Sequence, residues 1–201
     1  MSYVSLATGV LLAAGLGQRF DPGGTRSKLL APLPDGTPIT VAAARHLATT
    51  TADVVAVVRP GAGKFAFLLN EAGCHVVFAP DAERGMGASL AAGVRASAEA
   101  DSWIVALADM PWIAPRTYEA VARALDAHHA SIVAPVYRGT RGHPVGFAAR
   151  HYDALAALYG DTGARALFAR EPVTLLDVDD PAILRDVDTP DDLAYGRGDH
   201  R

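Results

Sequence analysis

Two glycines, an arginine and a lysine follow the first apolar run of the chain, and these residue types suit a polyphosphate. Gly15 and Gly17 lie in the segment LAAGLGQRF, and Arg19 and then Lys28 come after them. Glycine lets backbone amides approach an anion closely, and arginine and lysine neutralise the charge of the anion. The four residues therefore predict an anion-binding loop. A plain strand-to-loop turn explains a glycine pair about as well when the pair is taken alone.

The loop matches neither of the two better-known phosphate-binding patterns. No G-x-x-x-x-G-K-[ST] run occurs in the chain, and Phe20 stands where the third glycine of G-x-G-x-x-G belongs. An ordinary dinucleotide-binding fingerprint is therefore incomplete.

An aspartate follows an apolar run in the segment WIVALADMP. We expect Asp109 to lie just past the carboxyl end of a buried strand, where ligands collect in open α/β sheets. A carboxylate beside phosphates suits Mg²⁺, which takes a few hard oxygen ligands and keeps several waters. The simpler alternative is that Asp109 caps the following turn.

A second acidic cluster, LRDVDTPDDL, lies near the C-terminus. Asp186 and Asp188 alternate along an extended segment, and Thr189, Asp191 and Asp192 are predicted to cap the helix that Pro190 opens.

Three further segments carry candidate ligand-binding residues. Arg141 and His143, in RGHPVGF, suit an anionic ligand, although a surface hairpin would also explain the glycines. Asp161 and Arg165, in GDTGAR, either close on a ligand or simply start a helix. Ser89, in GMGASL, either contacts a nucleotide or packs a helix against the sheet.

Short β-branched runs alternate with stretches that have helical Ala/Leu spacing, which predicts an α/β fold with a mostly parallel sheet. The predicted strands are Ser5 to Leu12, Val54 to Val58, His75 to Phe78, Trp103 to Leu107, Ser131 to Val136, Val145 to Ala148 and Val173 to Leu176. The predicted helices are Val41 to Thr50, Lys64 to Ala72, Met86 to Ala98, Pro115 to Ala127, Tyr152 to Leu158, Gly163 to Arg170 and Pro190 to Tyr195. We expect a single domain over residues 1–196 and a frayed tail over 197–201.

The composition excludes several classes of partner. The formal net charge of the 201 residues is -4, which argues against a surface built for nucleic acid. No apolar run approaches the roughly 18 residues of a membrane-spanning helix. Cys74 is the only cysteine, so no intramolecular disulfide can form, and we expect a cytoplasmic protein.

Taken together, these motifs resemble the MobA-like nucleotidyltransferases, and within them the molybdenum cofactor cytidylyltransferases, which attach CMP to molybdopterin. LAAGLGQRF with its following lysine, ADMPW, GMGASL, RGHPVGF, GDTGAR and the aspartate before TPDD carry the resemblance. It implies one three-layer, doubly wound, Rossmann-like domain with about seven strands, as in nucleotide-diphospho-sugar transferases. The guanylyltransferase relatives carry LAGG where this chain has LAAG, which favours CTP over GTP.

The resemblance also implies a role for each candidate residue. Arg19, Lys28 and Asp109 would be catalytic, and Asp109 and Asp188 would hold Mg²⁺. The nucleotide-binding set would be Leu12, Ala13, Ala14, Gly15, Gly17, Arg19, Lys28, Ser89 and Asp109. Arg141, His143, Asp161 and Arg165 would bind a molybdopterin-type acceptor, and a molybdoenzyme or its chaperone is a candidate partner.

Two other functions remain open at the level of sequence. Some proteins that resemble this family are assigned NAD(P)H-dependent reduction of the nicotine blue type. Asp109 and Asp188, which hydride transfer does not require, and the incomplete dinucleotide fingerprint count against that function. A non-catalytic chaperone for the molybdenum cofactor is the third hypothesis, and the intact Arg19, Lys28 and Asp109 count against it.

Overall fold

A computed structural model describes residues 4–15, 17, 19–21, 27–128 and 131–197, and in this part of the chain eight strands form one mixed sheet. The strands are β1 (Ser5–Leu12), β2 (Thr51–Val58), β3 (His75–Phe78), β4 (Ser102–Leu107), β5 (Ile132–Tyr137), β6 (Thr140–Arg141), β7 (Val145–Ala148) and β8 (Val173–Asp177). The α-helices are α1 (Ile39–Ala48), α2 (Gly63–Glu71), α3 (Met86–Ala96), α4 (Pro115–His128), α5 (Tyr152–Ala156) and α6 (Arg165–Phe168).

The strand order across the sheet is β3-β2-β1-β4-β7-β5-β6, with β8 paired to β5. The pairs β1–β2, β1–β4, β2–β3 and β5–β8 are parallel, whereas β7 runs antiparallel to β4 and β5. The predicted α/β class with a mostly parallel sheet is therefore confirmed. Each of the seven predicted strands is present, and the sequence analysis missed only the two-residue strand β6.

Helices cover both faces of the sheet because side chains of the central strands alternate between two apolar layers. Leu11 of β1 packs in the core cluster that contains Ile39 and Leu47 of α1. Its neighbour Val10 packs in the other cluster, with Leu90 of α3. The result is a three-layer α/β arrangement in which the carboxyl ends of β1, β2 and β4 point to one edge of the sheet.

Two predicted helices near the C-terminus are wrong in length or type. The helix expected over 163–170 shrinks to α6, because Gly163 has φ 52° and ψ -151°, outside helical values. The segment Pro190–Arg197 is a 3-10 helix. At its start the Thr189 hydroxyl does not cap: it donates to Asp192, whose carboxylate also accepts the backbone N–H groups of Asp188 and Thr189.

The remaining predictions concern the chain end, the cysteine and the membrane. The tail expected over 197–201 lies outside the described residues from residue 198 onward. Cys74 is buried, and burial raises the pKa of its thiol to about 11. Among the described residues, no helix combines the length and the apolar character needed to cross a membrane.

Candidate nucleotide and acceptor site

Two cations and two carboxylates meet at the carboxyl ends of β1 and β4. Lys28 Nζ lies 2.7 Å from Asp109 Oδ2 and 3.7 Å from Asp188 Oδ1. Arg19 donates to Asp188 Oδ2 over 2.6 Å. The lysine side chain is only 10% exposed, whereas that of Arg19 is 78% exposed. Four residues from three distant parts of the sequence therefore form one charged cluster, which we call the Lys28 cluster.

Backbone hydrogen bonds place the two carboxylates side by side. The Ala108 N–H donates to the Leu12 carbonyl over 3.1 Å, which fixes the start of the loop after β4 against β1. The Val187 N–H donates to the Asp109 carbonyl over 2.9 Å. Because Asp188 follows Val187, this bond brings its carboxylate to the same place as that of Asp109.

A buried aspartate that sequence reasoning did not single out holds the surrounding loops together. The Asp180 carboxylate accepts hydrogen bonds from Ala114 N–H over 3.0 Å, Thr117 Oγ1 over 2.6 Å and Ala182 N–H over 3.1 Å. It joins the segment after Asp109 to the segment before Asp188. A carboxylate with three donors is well satisfied in the interior.

The donor set of the cluster fits a hard divalent cation. Asp109 and Asp188 converge on one point, and Mg²⁺ is commonly held by one or two carboxylates together with substrate phosphates and water. Loss of surrounding water raises the pKa of the nearby Asp186 carboxyl, and Asp188 and Asp109 raise it further. The described residues contain no group of three or more His, Cys, Asp or Glu side chains arranged for a metal ion. A nucleotide would therefore have to supply further ligands.

A cavity of about 350 Å³ opens beside the cluster. It contains six of the predicted nucleotide-binding residues, and its other walls come from the end of β2, the segment after β3 and the start of α3. The lining residues are Leu12, Ala14, Gly15, Lys28, Leu29, Arg59, Ala82, Glu83, Gly85, Met86, Ser89, Leu107, Asp109 and Asp161. Ala13 faces an adjoining cavity instead, and neither Gly17 nor Arg19 lines the first one.

Glycine is needed for different reasons at the two positions of the loop. Gly17 has φ +62°, and a Cβ there would lie 2.8 Å from Lys28 Cβ, so glycine lets the loop pass tightly over the lysine. A Cβ at Gly15 would meet nothing within 4 Å. The space above Gly15 belongs to the cavity, and packing against the described residues does not explain the glycine.

A second cavity of about 330 Å³ shares Leu12, Met86 and Asp161 with the first. All four predicted acceptor-binding residues, Arg141, His143, Asp161 and Arg165, line it. Its apolar wall includes Phe168, whose ring lies 4.0 Å from the Arg141 guanidinium carbon. This cation–π contact orients the arginine, and the sequence analysis did not anticipate it.

The segment that carries Asp161 packs directly on the glycines that open α3. Gly85 has φ 123° and ψ 179°, a backbone region that is essentially restricted to glycine. A Cβ on Gly85 would overlap Asp161 Oδ1 and lie 2.6 Å from the Gly160 carbonyl carbon. The GMG sequence therefore has a packing role, next to Asp161, which lines both cavities.

Replacement of Gly85 by alanine is expected to destabilise the fold by about 1 to 3 kcal/mol, because the strained backbone and the overlap with Gly160 and Asp161 both oppose it. Urea unfolding measures this loss. The matched control is Gly63→Ala at the start of α2, where a Cβ meets nothing within 4 Å. Equal stabilities of the two variants would contradict the packing role.

His143 is held as a neutral imidazole at the border of the second cavity. The ring Nδ1 is enclosed and has no hydrogen-bond partner among the described residues, whereas the backbone N–H of His143 donates to the Ile183 carbonyl over 3.0 Å. Burial lowers the pKa of His143 below its ordinary value of 6.5, although the charge of Asp109 acts in the opposite direction.

The free energy of unfolding is expected to decrease as the pH falls through 6.5, because the unfolded chain then binds a proton at His143 more readily than the folded chain does. Unfolding curves at neutral and mildly acidic pH should show a weaker pH dependence for His143→Asn than for the wild type. His75→Asn is the control, since that imidazole is exposed and lies 3.7 Å from Asp53. The same pH dependence in His143→Asn and wild type would refute this assignment.

Sequence reasoning missed two charged residues of the first cavity, Arg59 and Glu83. Arg59 follows the last residue of β2, and Glu83 lies in the 3-10 helix Pro80–Arg84 after β3. The rule that ligands gather at carboxyl ends of parallel strands applies to β2 as it does to β4. That rule could have identified Arg59.

A family model described as the MobA-like NTP transferase domain matches residues 9–175. The chain belongs to this family, as its motifs predicted, and its domain is of the nucleotidyltransferase type. Nicotine blue oxidoreductase of Paenarthrobacter nicotinovorans is 34% identical over 199 residues, covering 92% of this chain and 94% of that protein.

Solved structures agree with the fold. Rv0371c from Mycobacterium tuberculosis H37Rv superposes with a TM-score of 0.78 and 31% identity, covering 95% of this chain and 96% of that one. A second structure of Rv0371c, in complex with manganese, superposes with a TM-score of 0.72 at the same identity and coverage.

Proposed function

We propose that the protein transfers a nucleoside monophosphate from a nucleoside triphosphate to a phosphorylated acceptor and releases pyrophosphate. CTP is the favoured donor, and a molybdopterin-type molecule is the favoured acceptor. The observation that carries the proposal is the pair of adjoining cavities beside the Lys28 cluster, which share Leu12, Met86 and Asp161. Two substrates in neighbouring cavities can meet at one phosphorus atom.

The strand order supports an assignment of each substrate to one of the two cavities. The first cavity reaches residues that follow β1, β2 and β4, whereas the second is lined by Val105 of β4 and by Val145 and Phe147 of β7. The triphosphate would bind across the β2–β1–β4 edge, and the acceptor would approach from β7. Arg141 and Arg165 would then neutralise the phosphate of the acceptor.

The transfer itself needs positioning and charge stabilisation more than a protein nucleophile. An oxygen of the acceptor phosphate attacks the α-phosphorus, the bond from that phosphorus to the bridging oxygen breaks, and pyrophosphate leaves with the electron pair. Lys28 and Arg19 would stabilise the leaving pyrophosphate, after exchanging their contacts with Asp109 and Asp188 for phosphate oxygens. Mg²⁺ held by Asp109 and Asp188 would neutralise charge at the phosphates.

Three observations support the finer parts of the proposal, which are the donor, the cation and the location in the cell. The LAAG sequence at Leu12 to Gly15 resembles the cytidylyl branch of the family and favours CTP. The manganese complex of Rv0371c, which is 31% identical to this chain, supports a divalent cation in the reaction. The lone buried thiol of Cys74 suits a reducing cytoplasm.

The similarity to one relative supports a second candidate function. Nicotine blue oxidoreductase is 34% identical to this chain over nearly the whole length of both proteins, so NAD(P)H-dependent reduction is the competing proposal. The Lys28 cluster counts against it, since hydride transfer has no use for paired carboxylates that fit a divalent cation.

Pyrophosphate release with CTP, GTP or ATP, each with Mg²⁺ and molybdopterin and each repeated without the acceptor, tests the transferase directly. Release with CTP and acceptor alone is the expected result, and release with GTP would change the donor. Absence of release together with consumption of NAD(P)H in the presence of nicotine blue would overturn the proposal. Tight molybdopterin binding without any release would indicate a cofactor chaperone.

A further inference from the structure

We propose that Arg59 reads the nucleobase of the donor, and that its guanidinium donates to N3 and O2 of cytosine and thereby discriminates CTP from UTP. This inference rests on the proposed function and adds the residue that would select the donor nucleotide. The first observation is the position of Arg59 at the carboxyl end of β2.

Arg59 lies at the end of the first cavity that is farther from the metal-binding carboxylates. Leu12 pairs with Val57 in the β1–β2 register, so Ala14 and Arg59 each follow two residues beyond this pair. Asp109 follows β4, on the other side of β1 in the sheet. If the phosphates lie at Asp109 and Lys28, the base extends toward Arg59.

The N–H donors of the Arg59 side chain have no acceptor among the described residues. It is half-buried and lines both the first cavity and the adjoining one of about 240 Å³. Yet it forms no hydrogen bond or ion pair with any residue in the described part of the chain. A guanidinium carries five N–H donors in a planar fork, and a half-buried one is expected to have acceptors. A ligand in the first cavity would supply them.

The other wall at this end of the cavity carries a carboxylate. Glu83 is exposed, lines the first cavity and likewise has no ion-pair partner among the described residues. Cytosine presents an amino donor at N4 beside acceptors at N3 and O2, so a carboxylate and an arginine fork together match its edge. Uracil presents an N–H at position 3, which faces the arginine donors unfavourably.

The test compares Arg59→Met and Arg59→Lys with Lys64→Met, which removes a positive charge that lines only the adjoining cavity. Calorimetry measures the dissociation constants of CTP, UTP, GTP and inorganic tripolyphosphate, each with Mg²⁺. We expect Arg59→Met to weaken CTP binding by about tenfold to a hundredfold and to leave UTP and tripolyphosphate nearly unchanged. Arg59→Lys should lose most of the preference for CTP, because an ammonium cannot span N3 and O2, and Lys64→Met should keep it.

Equal losses for CTP, UTP and tripolyphosphate in Arg59→Met would show that Arg59 binds phosphate and would overturn the inference. A loss confined to GTP, or an unchanged ratio of CTP to UTP affinity, would also overturn it. If the wild type binds CTP but releases no pyrophosphate with any acceptor, the proposed function fails while the assignment of Arg59 is still decided by binding. If the wild type binds no triphosphate, both fail.

Discussion

Replacement of Asp109 by asparagine is expected to lower the rate of pyrophosphate release by about a thousandfold or more, because it removes a carboxylate that would hold the cation at the phosphates. The fold should survive. The contact that Asp109 makes with the C-terminal segment uses its backbone carbonyl, which accepts from Val187 N–H, and the substitution leaves that carbonyl in place. Steady-state kinetics and a thermal melt measure the two effects separately.

The matched control for Asp109→Asn is Asp191→Asn. Asp191 is exposed in the 3-10 helix three residues beyond Asp188, so its replacement changes the net charge by the same amount near the cluster. Its turnover should stay close to that of the wild type. Near-normal turnover in Asp109→Asn would contradict the role given to its carboxylate, and an equal loss in both variants would point to overall charge instead.

Local sequence was sufficient to place the strands and the residues that follow them. Asp109 and the Gly15 loop were predictable because an apolar run ending in Gly or Asp marks the carboxyl end of a parallel strand. Parallel strands bring such ends together at one edge, so residues as distant in sequence as Lys28 and Asp109 could be expected in one site. The 2.7 Å contact between their side chains agrees with that expectation.

Features that depend on contacts between distant loops were not predictable. The helix expected over 163–170 looked regular from its Ala/Leu spacing, yet the backbone at Gly163 and the packing of Gly160 on Gly85 shorten it. The buried Asp180 resembles a surface residue in the acidic run DVDDP. One of its three donors, the Ala182 N–H, is local, and tertiary structure supplies the other two, from Ala114 and Thr117. Burial of a polar side chain is a property of its partners, which a single sequence does not reveal.

Contacts between these loops also connect the second cavity to the Lys28 cluster. Ile183 accepts from the His143 N–H, and four residues later Val187 donates to Asp109. One short C-terminal segment therefore bonds to the backbone of two residues, His143 in the loop that lines the second cavity and Asp109 beside the first. We therefore expect a change in this segment to alter both cavities, whereas Gly15 lines the first cavity and the adjoining one but not the second.

Replacement of Lys28 by methionine is expected to have opposite effects on metal binding and on transfer. Lys28 Nζ lies between the Asp109 and Asp188 carboxylates, so it neutralises the ligands that a cation would use. Without it, Mn²⁺ should bind the protein alone about tenfold more tightly, since the carboxylates lose a competing positive charge. Transfer should fall by about a hundredfold to a thousandfold, because no ammonium then stabilises the leaving pyrophosphate.

Titration with Mn²⁺ in the absence of nucleotide measures the first effect without any reference to activity, and pyrophosphate release measures the second. Lys64→Met is again the control, because Lys64 is exposed and does not line the first cavity. Weaker Mn²⁺ binding in Lys28→Met than in wild type would mean that the lysine orders the carboxylates instead of competing for them. Tighter binding with lost transfer is the expected result, since Lys28 then both competes with the cation for the carboxylates and stabilises the leaving pyrophosphate.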